Sequence, residues 1–239
     1  MTRNRTQKSN IIVLLLLLIV GLSNIKTQAS IVIDFYYGES FAWEIDDISS
    51  SNNSWHNIST FAFVTNWHAN KSDLISFSVL NSKTINEKQF LFGNLSIGNI
   101  SLLADNKDIG FNLGLSVNPW YGGLVALEDN WKTLILSHPF NTTNAQIIEE
   151  KTINWSGQDV AVIEINYDDG FQKSTLQYEK LTGILMTANT SVGSFWLKMH
   201  LTSSTIPIPS PTKTIVISEA FVLVGLAAIV LLRRMHSRR

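Results

Sequence analysis

Between residues 30 and 205, eight asparagines stand in Asn-x-Ser/Thr sequons: Asn52, Asn57, Asn70, Asn94, Asn99, Asn141, Asn154 and Asn189. The side-chain amide of such an asparagine is the acceptor for N-linked sugar in an exported protein. Residues 30–206 hold 18 Asn, and Ser or Thr at 34 of 177 positions, which would generate about half as many sequons by chance. The excess is the strongest chemical signal in the chain. The competing reading is a surface so rich in Asn, Ser and Thr that sequons arise incidentally.

Aromatic side chains beside polar neighbours form a second set of candidates. Trp55 precedes His56, Trp67 precedes His68, and Trp120 precedes Tyr121. An indole face next to a hydrogen-bonding group can stack on a sugar or line an apolar pocket. Trp55, Trp67, Trp120 and Tyr121 are therefore candidate ligand contacts. The plainer expectation is core packing, because a chain without cysteine needs large apolar residues to stabilise a sheet. Trp43 and Trp131 lie in apolar patterns and read as structural.

Other chemistry is weakly represented. His56, His68, His138 and His200 are scattered, without a His-x-x-x-His spacing or a cysteine pair, so no zinc site is expected. Glu44, Asp46 and Asp47 lie close together, but acids on a strand are usually solvated, and Asp168-Asp169-Gly170 lacks the remaining ligand spacing of a calcium loop. Gly93-Asn94-Leu95-Ser96-Ile97-Gly98 does not have the Gly-x-Ser-x-Gly spacing of a hydrolase elbow. No phosphate loop or dinucleotide glycine pattern appears. Zero cysteine removes disulfides, thiolate catalysis and iron–sulfur clusters. The expectation is a non-enzymatic chain without cofactor or metal.

The elements that must position these residues read as β-strands. Phe41, Trp43 and Ile45 alternate with Ala42, Glu44 and Asp46; Ile75, Phe77 and Val79 alternate with Ser76 and Ser78. The same period of two runs through Phe111–Val117 and Phe195–Leu201. Val160–Tyr167 is apolar on both faces except for Glu164, the pattern of a central strand. Asp168-Asp169-Gly170 and Lys180-Leu181-Thr182-Gly183 read as hairpin turns. Residues 89–103 hold two short strands around Gly98, and a short helix is expected near 124–136. The fold class is mainly β: an antiparallel, curved, half-barrel-like sheet, with one C-terminal transmembrane helix.

That last helix comes from the ends of the chain. Arg3, Arg5 and Lys8 precede an apolar run from Ile11 to Leu22, and a polar stretch closes at Ala29. This is the order of a secretory signal, with an uncleaved anchor as the alternative. Ile215–Leu232 is apolar apart from Ser218 and Glu219, and Arg233, Arg234, Arg238 and Arg239 follow it. An apolar run of about 20 residues before a basic cluster stops transfer, with the cations cytoplasmic. Ile206-Pro-Ile-Pro-Ser-Pro-Thr, just before it, favours an extended polyproline stalk. The expected division is 1–29 signal peptide, 30–205 extracellular β-domain, 206–214 stalk, 215–232 span and 233–239 cytoplasmic tail.

The chain carries a formal net charge of −1. Residues 30–206 hold nine Lys, no Arg and eighteen acids, whereas both flanks are basic. An acidic domain without arginine is a poor clamp for phosphates, so no nucleic-acid partner is expected.

Two short motifs carry a resemblance. Tyr178-Glu179-Lys180-Leu181-Thr182-Gly183-Ile184-Leu185 resembles the Tyr-Asp-x-x-Thr-Gly-x-Leu hairpin of archaeal cell-surface proteins. Tyr37-Gly38-Glu39-Ser40-Phe41-Ala42-Trp43 resembles the Gly-Asp-x-Phe-x-Trp opening of an uncharacterised group among them. Glu39 and Glu179 replace the usual Asp, which a hairpin tolerates. That resemblance implies a signal peptide, β ectodomain, stalk and single span, with the C-terminal helix retained or exchanged for a lipid anchor. The Thr-Gly hairpin is also similar to half-barrel lipoprotein carriers, which implies a curved sheet around acyl chains. The resulting expectation is a single-pass cell-surface glycoprotein, ectodomain outside, in an envelope structural or adhesion role. The alternative is an anchored module binding a lipid or other apolar ligand; an anchored hydrolase is the remotest reading. Partners are the membrane itself and a lipid, glycan or protein ligand of the ectodomain.

Overall fold

The computed structural model describes residues 35–49, 52–60, 62–85, 88–118, 121–126 and 145–210, with the first or last residues of some strands by backbone alone. The expected signal peptide, Asn141, Trp120, Trp131, His138 and the expected span at 215–232 lie outside the described residues. No helix among the described residues is long and apolar enough to cross a membrane.

The described chain is mainly β and antiparallel. Its N-terminal half runs β1 (Ser40–Ile48), β2 (Asn53–Asn57), β3 (Ala62–Trp67), β4 (Leu74–Ile85), β5 (Lys88–Ile97) and β6 (Ile100–Asp105). Helix α1 (Asn106–Asn112) and the short β7 (Ser116–Asn118) and β8 (Tyr121–Gly122) follow. Then come β9 (Ala145–Trp155), β10 (Gln158–Asp168), β11 (Gln172–Glu179), β12 (Leu185–Val192) and β13 (Phe195–Ser204). Nine strands form one sheet in the order β6-β5-β4-β1-β13-β12-β11-β10-β9. Two meanders thus flank β1, which pairs with β4 on one side and β13 on the other. The hairpins β2–β3 and β7–β8 stand apart from it.

The alternation read from sequence decides which face is covered. Phe41, Trp43 and Ile45 of β1, Ile75, Phe77 and Val79 of β4, and Leu197, Met199 and Leu201 of β13 are buried and register with one another across the sheet. Leu95 and Ile97 of β5, Ala188 of β12 and Leu176 and Tyr178 of β11 continue this inner face. It is covered by Trp55 and Trp67 from the β2–β3 hairpin, by Ile109 of α1, and by Leu113, Leu115, Val117, Leu124 and Val125. The strap from 113 to 126 is pinned at both ends. Gly114 O accepts from Thr190 Oγ1 at 2.7 Å, and Gly123 O accepts from the Tyr178 hydroxyl at 3.0 Å. Leu185 N donates to Leu124 O at 3.0 Å.

Three expectations need correction. Phe111–Val117 is not one strand, and only Ser116 and Val117 enter the short β7. Asp105 Oδ1 accepts from Lys107 N and Asp108 N, capping α1, and Ile109 and Leu113 then fall one helical turn apart on the core. Residues 124–126, the described start of the expected helix, are not helical: Leu124 lies in a bend and Val125 bridges Ile184. β10 pairs with β11 on one side and the edge strand β9 on the other, an interior strand as expected, with Val160, Val162, Ile163 and Ile165 buried. The chain after β13 returns to the start of β10. Gln158 Nε2 donates to Ile208 O and Ser210 Oγ to Asp159 O. That return also anchors the first residues of the proline-rich segment, where Ile206 and Ile208 are buried instead of standing clear as a stalk.

Trp155 at the end of β9 donates its indole N–H to Leu201 O of β13 at 2.8 Å. In a flat sheet three intervening strands would hold these residues roughly 19 Å apart. This end of the sheet therefore bends on itself.

Candidate functional site

The outward face of the nine-stranded sheet carries the polar half of the alternation, and its residues form a rung across six strands. Lys151 of β9 donates to Glu164 Oε1 of β10 at 2.8 Å; Gln177 Nε2 of β11 donates to Glu164 Oε2 at 2.9 Å. Thr187 Oγ1 of β12 donates to Gln177 Oε1 at 2.8 Å. Thr187 stands opposite His200 of β13, which stands opposite Glu44 of β1. His200 Nδ1 lies 2.9 Å from Oδ1 of Asp46, the residue displaced by a bulge in β1. Hydrogen bonding by Lys151, then by Gln177, holds the Glu164 carboxyl below the usual carboxylate range, and burial opposes them.

This rung is a hydrogen-bonding surface without a nucleophile. His200 and Asp46 have the relation of a base and its orienting acid, but Thr187, the hydroxyl opposite His200, donates to Gln177 instead. Among the described residues no three His, Asp or Glu converge as metal ligands. The other shifted groups have structural work. Asp169 accepts from Gln172 N and Phe171 N in the β10–β11 turn, which lowers its carboxyl, and burial beside it lifts the Tyr167 hydroxyl to about 12. Burial raises Asp108, whose Oδ1 accepts from Ile58 N at 2.9 Å and ties α1 to the end of β2. Burial likewise raises the Tyr178 hydroxyl.

The sequons divide by position. Asn94 on β5, Asn154 on β9 and Asn189 on β12 are exposed strand residues. Asn52, Asn70 and Asn99 are exposed outside the strands, and Asn99 Oδ1 accepts from His68 N at 2.7 Å. Asn57 is half-buried, its Oδ1 accepting from Thr60 N and Thr60 Oγ1. Asn94 and Asn189 share the outward face: Asn94 stands opposite Ser78 and Leu103, and Asn189 opposite Thr175 and Lys198.

The aromatic candidates fare differently. Trp55 and Trp67 are each 1% exposed and belong to the core, Trp67 edge-on to Phe195 with centroids 6.1 Å apart. Of Tyr121 only the backbone, in β8, is described. Two polar atoms are orphaned in the interior: Trp67 Nε1 and Ser116 Oγ are buried without a partner among the described residues. Among the exposed aromatics that sequence pairing passed over, Phe92 and Trp196, 40% and 44% exposed, lie on the outward face of the nine-stranded sheet. Their signal was available, since each occupies the polar register of its strand.

The Tyr178–Leu185 motif is a reverse turn folded onto the strap. The Glu179 carboxylate accepts from Leu181 N and Thr182 N, and Thr182 Oγ1 accepts from Ile184 N. Gly183 has a φ of +70°, and a Cβ there would collide with Ala126 O. The motif's chemistry is conformational. No protein-family model matches the chain, and comparison with curated proteins returns no significant relative.

Proposed function

We propose that the chain is a single-pass surface protein, non-enzymatic, whose glycosylated β ectodomain has a structural or adhesive role in the envelope, as the resemblance to archaeal surface proteins implies. The observation that carries this reading is the placement of the sequons. All seven that fall among the described residues keep solvent access, and six are exposed. Each shifted titratable group with a described partner braces a turn, a rung, a helix end or the strap, which supports a binding or packing role over a reaction. The basic flanks and the apolar run at 215–232 supply the membrane part of the proposal. Intact mass spectrometry of the full chain from an N-glycosylating host tests it. Sugar-sized mass removed by a glycosidase supports the reading, and a mass matching the bare polypeptide contradicts it.

A second reading rests on Trp67. A buried indole N–H without an acceptor, among Trp55, Phe195 and other apolar side chains, is the kind of single polar contact found in a pocket for an apolar ligand. In that reading the bent sheet acts as a half-barrel for a lipid. Native mass spectrometry of the detergent-extracted chain tests it through the presence or absence of a retained lipid.

A further inference from the structure

The outward face carries large apolar side chains that the polar alternation does not explain. Phe92 and Trp196 are about two-fifths exposed, and Leu103 is 59% exposed. Leaving such area in water is unfavourable, so a sugar attached next to these side chains would gain by covering them. Each lies beside a sequon. Leu103 on β6 is the direct cross-strand partner of Asn94, and Phe92 is two residues before Asn94 on the same face of β5. Trp196 on β13 pairs with Ser191, two residues after Asn189, so it is the diagonal neighbour of Asn189 on the same face. Diagonal neighbours on a sheet stand about 7–8 Å apart at Cα, within reach of an aromatic side chain. Asn154, also exposed on a strand, has Asp159 opposite and Thr152 two residues before it.

We propose that Asn94 and Asn189 are the structural glycosylation sites of this domain, and that the first sugar on each packs against its apolar neighbours: Phe92 and Leu103 for Asn94, Trp196 for Asn189. The hydrophobic face of a pyranose ring stacks on an aromatic ring, and a short sugar core linked to the asparagine amide stays over side chains one register away. The donor is a polyprenyl-phosphate-linked oligosaccharide. The bond from sugar C1 to Asn Nδ2 forms, the bond from C1 to the lipid phosphate oxygen breaks, and an amide proton leaves as the phosphate departs. The proposal rests on the glycoprotein reading and goes further by naming which sites are occupied and what their sugars cover.

The test uses the full chain from an N-glycosylating host, with site-by-site glycopeptide mass spectrometry and hydroxyl-radical footprinting before and after enzymatic removal of glycan. The expected result is sugar on both Asn94 and Asn189, with oxidation of Phe92 and Trp196 rising several-fold once it is removed. Ser96→Ala and Ser191→Ala, which abolish the sequons but keep the asparagines, should each lower Tm by roughly 2–4 °C. In a host that does not glycosylate, the same substitutions should leave Tm unchanged; Asn154→Gln should leave it unchanged in both hosts. Bare Asn94 and Asn189 beside occupied sequons elsewhere would overturn this proposal alone. So would occupancy without protection of the aromatic rings. Sugar at no sequon would overturn the glycoprotein reading with it.

Discussion

Glu164 is nearly buried on a polar face, and three donors converge on its carboxylate: Lys151 and Gln177 from the strands on either side and Asn166 from its own strand. Glu164→Ala strands Lys151 and Gln177 and is expected to cost roughly 1–3 kcal/mol at neutral pH, read by chemical denaturation. Because the folded-state pKa is lowered, the stabilisation is present above the ordinary glutamate pKa of about 4.3 and is lost as pH falls through the lower folded value. The mutant and native curves should therefore converge in acid. Asp108 has the opposite sign. Its raised pKa means that the ionised form is penalised once pH rises through the folded value. Asp108→Asn keeps an acceptor for Ile58 N and removes the charge, so Tm should rise at pH 7 and the gain should shrink toward pH 4. At Gly183 the backbone already sits at positive φ against Ala126 O, and Gly183→Ala should cost more than about 1 kcal/mol, measured the same way.

Among the elements, a strand bound for one buried face is legible when hydrophobics alternate over four or more residues, as in β1, β4 and β13. The turns at Asp168–Gly170 and Lys180–Gly183 are equally legible, because their chemistry is local. Leu113, Leu115 and Val117 misled for a physical reason. A strap crossing the core can alternate like a strand, and only the Asp105 cap beneath it shows that a helix comes first. Asp105→Ala should cost about 0.5–2 kcal/mol, with hydrogen exchange quickening first at α1 and the Ile58 tie. Val160–Tyr167 was legible as an interior strand, but not what docks at its start: Gln158 Nε2 donates to Ile208 O, a non-local contact invisible in the strand itself. Ile208→Ser should cost roughly 1.5–3 kcal/mol, read by chemical denaturation, and make the chain beyond β13 sensitive to protease.

On the scale of the whole molecule, the sequence says most about the ends and the composition, and the structure says most about the faces. Sequons were legible one by one. That Asn94 and Asn189 share a face with Phe92, Leu103 and Trp196 follows only from the strand order, in which β1 joins two meanders. The same order brings Asp46 to His200 across 154 positions of sequence. The proposed topology, with the sheet outside, rests on the cations that flank the two apolar runs at the ends of the chain. The most direct measurement is protease digestion of intact cells expressing the full chain with a C-terminal epitope, followed by blotting and glycosidase treatment. The account predicts loss of a glycosylated ectodomain and survival of a short, membrane-bound, tagged fragment. A full-length, sugar-free chain that resists the protease until the cells are lysed would contradict it.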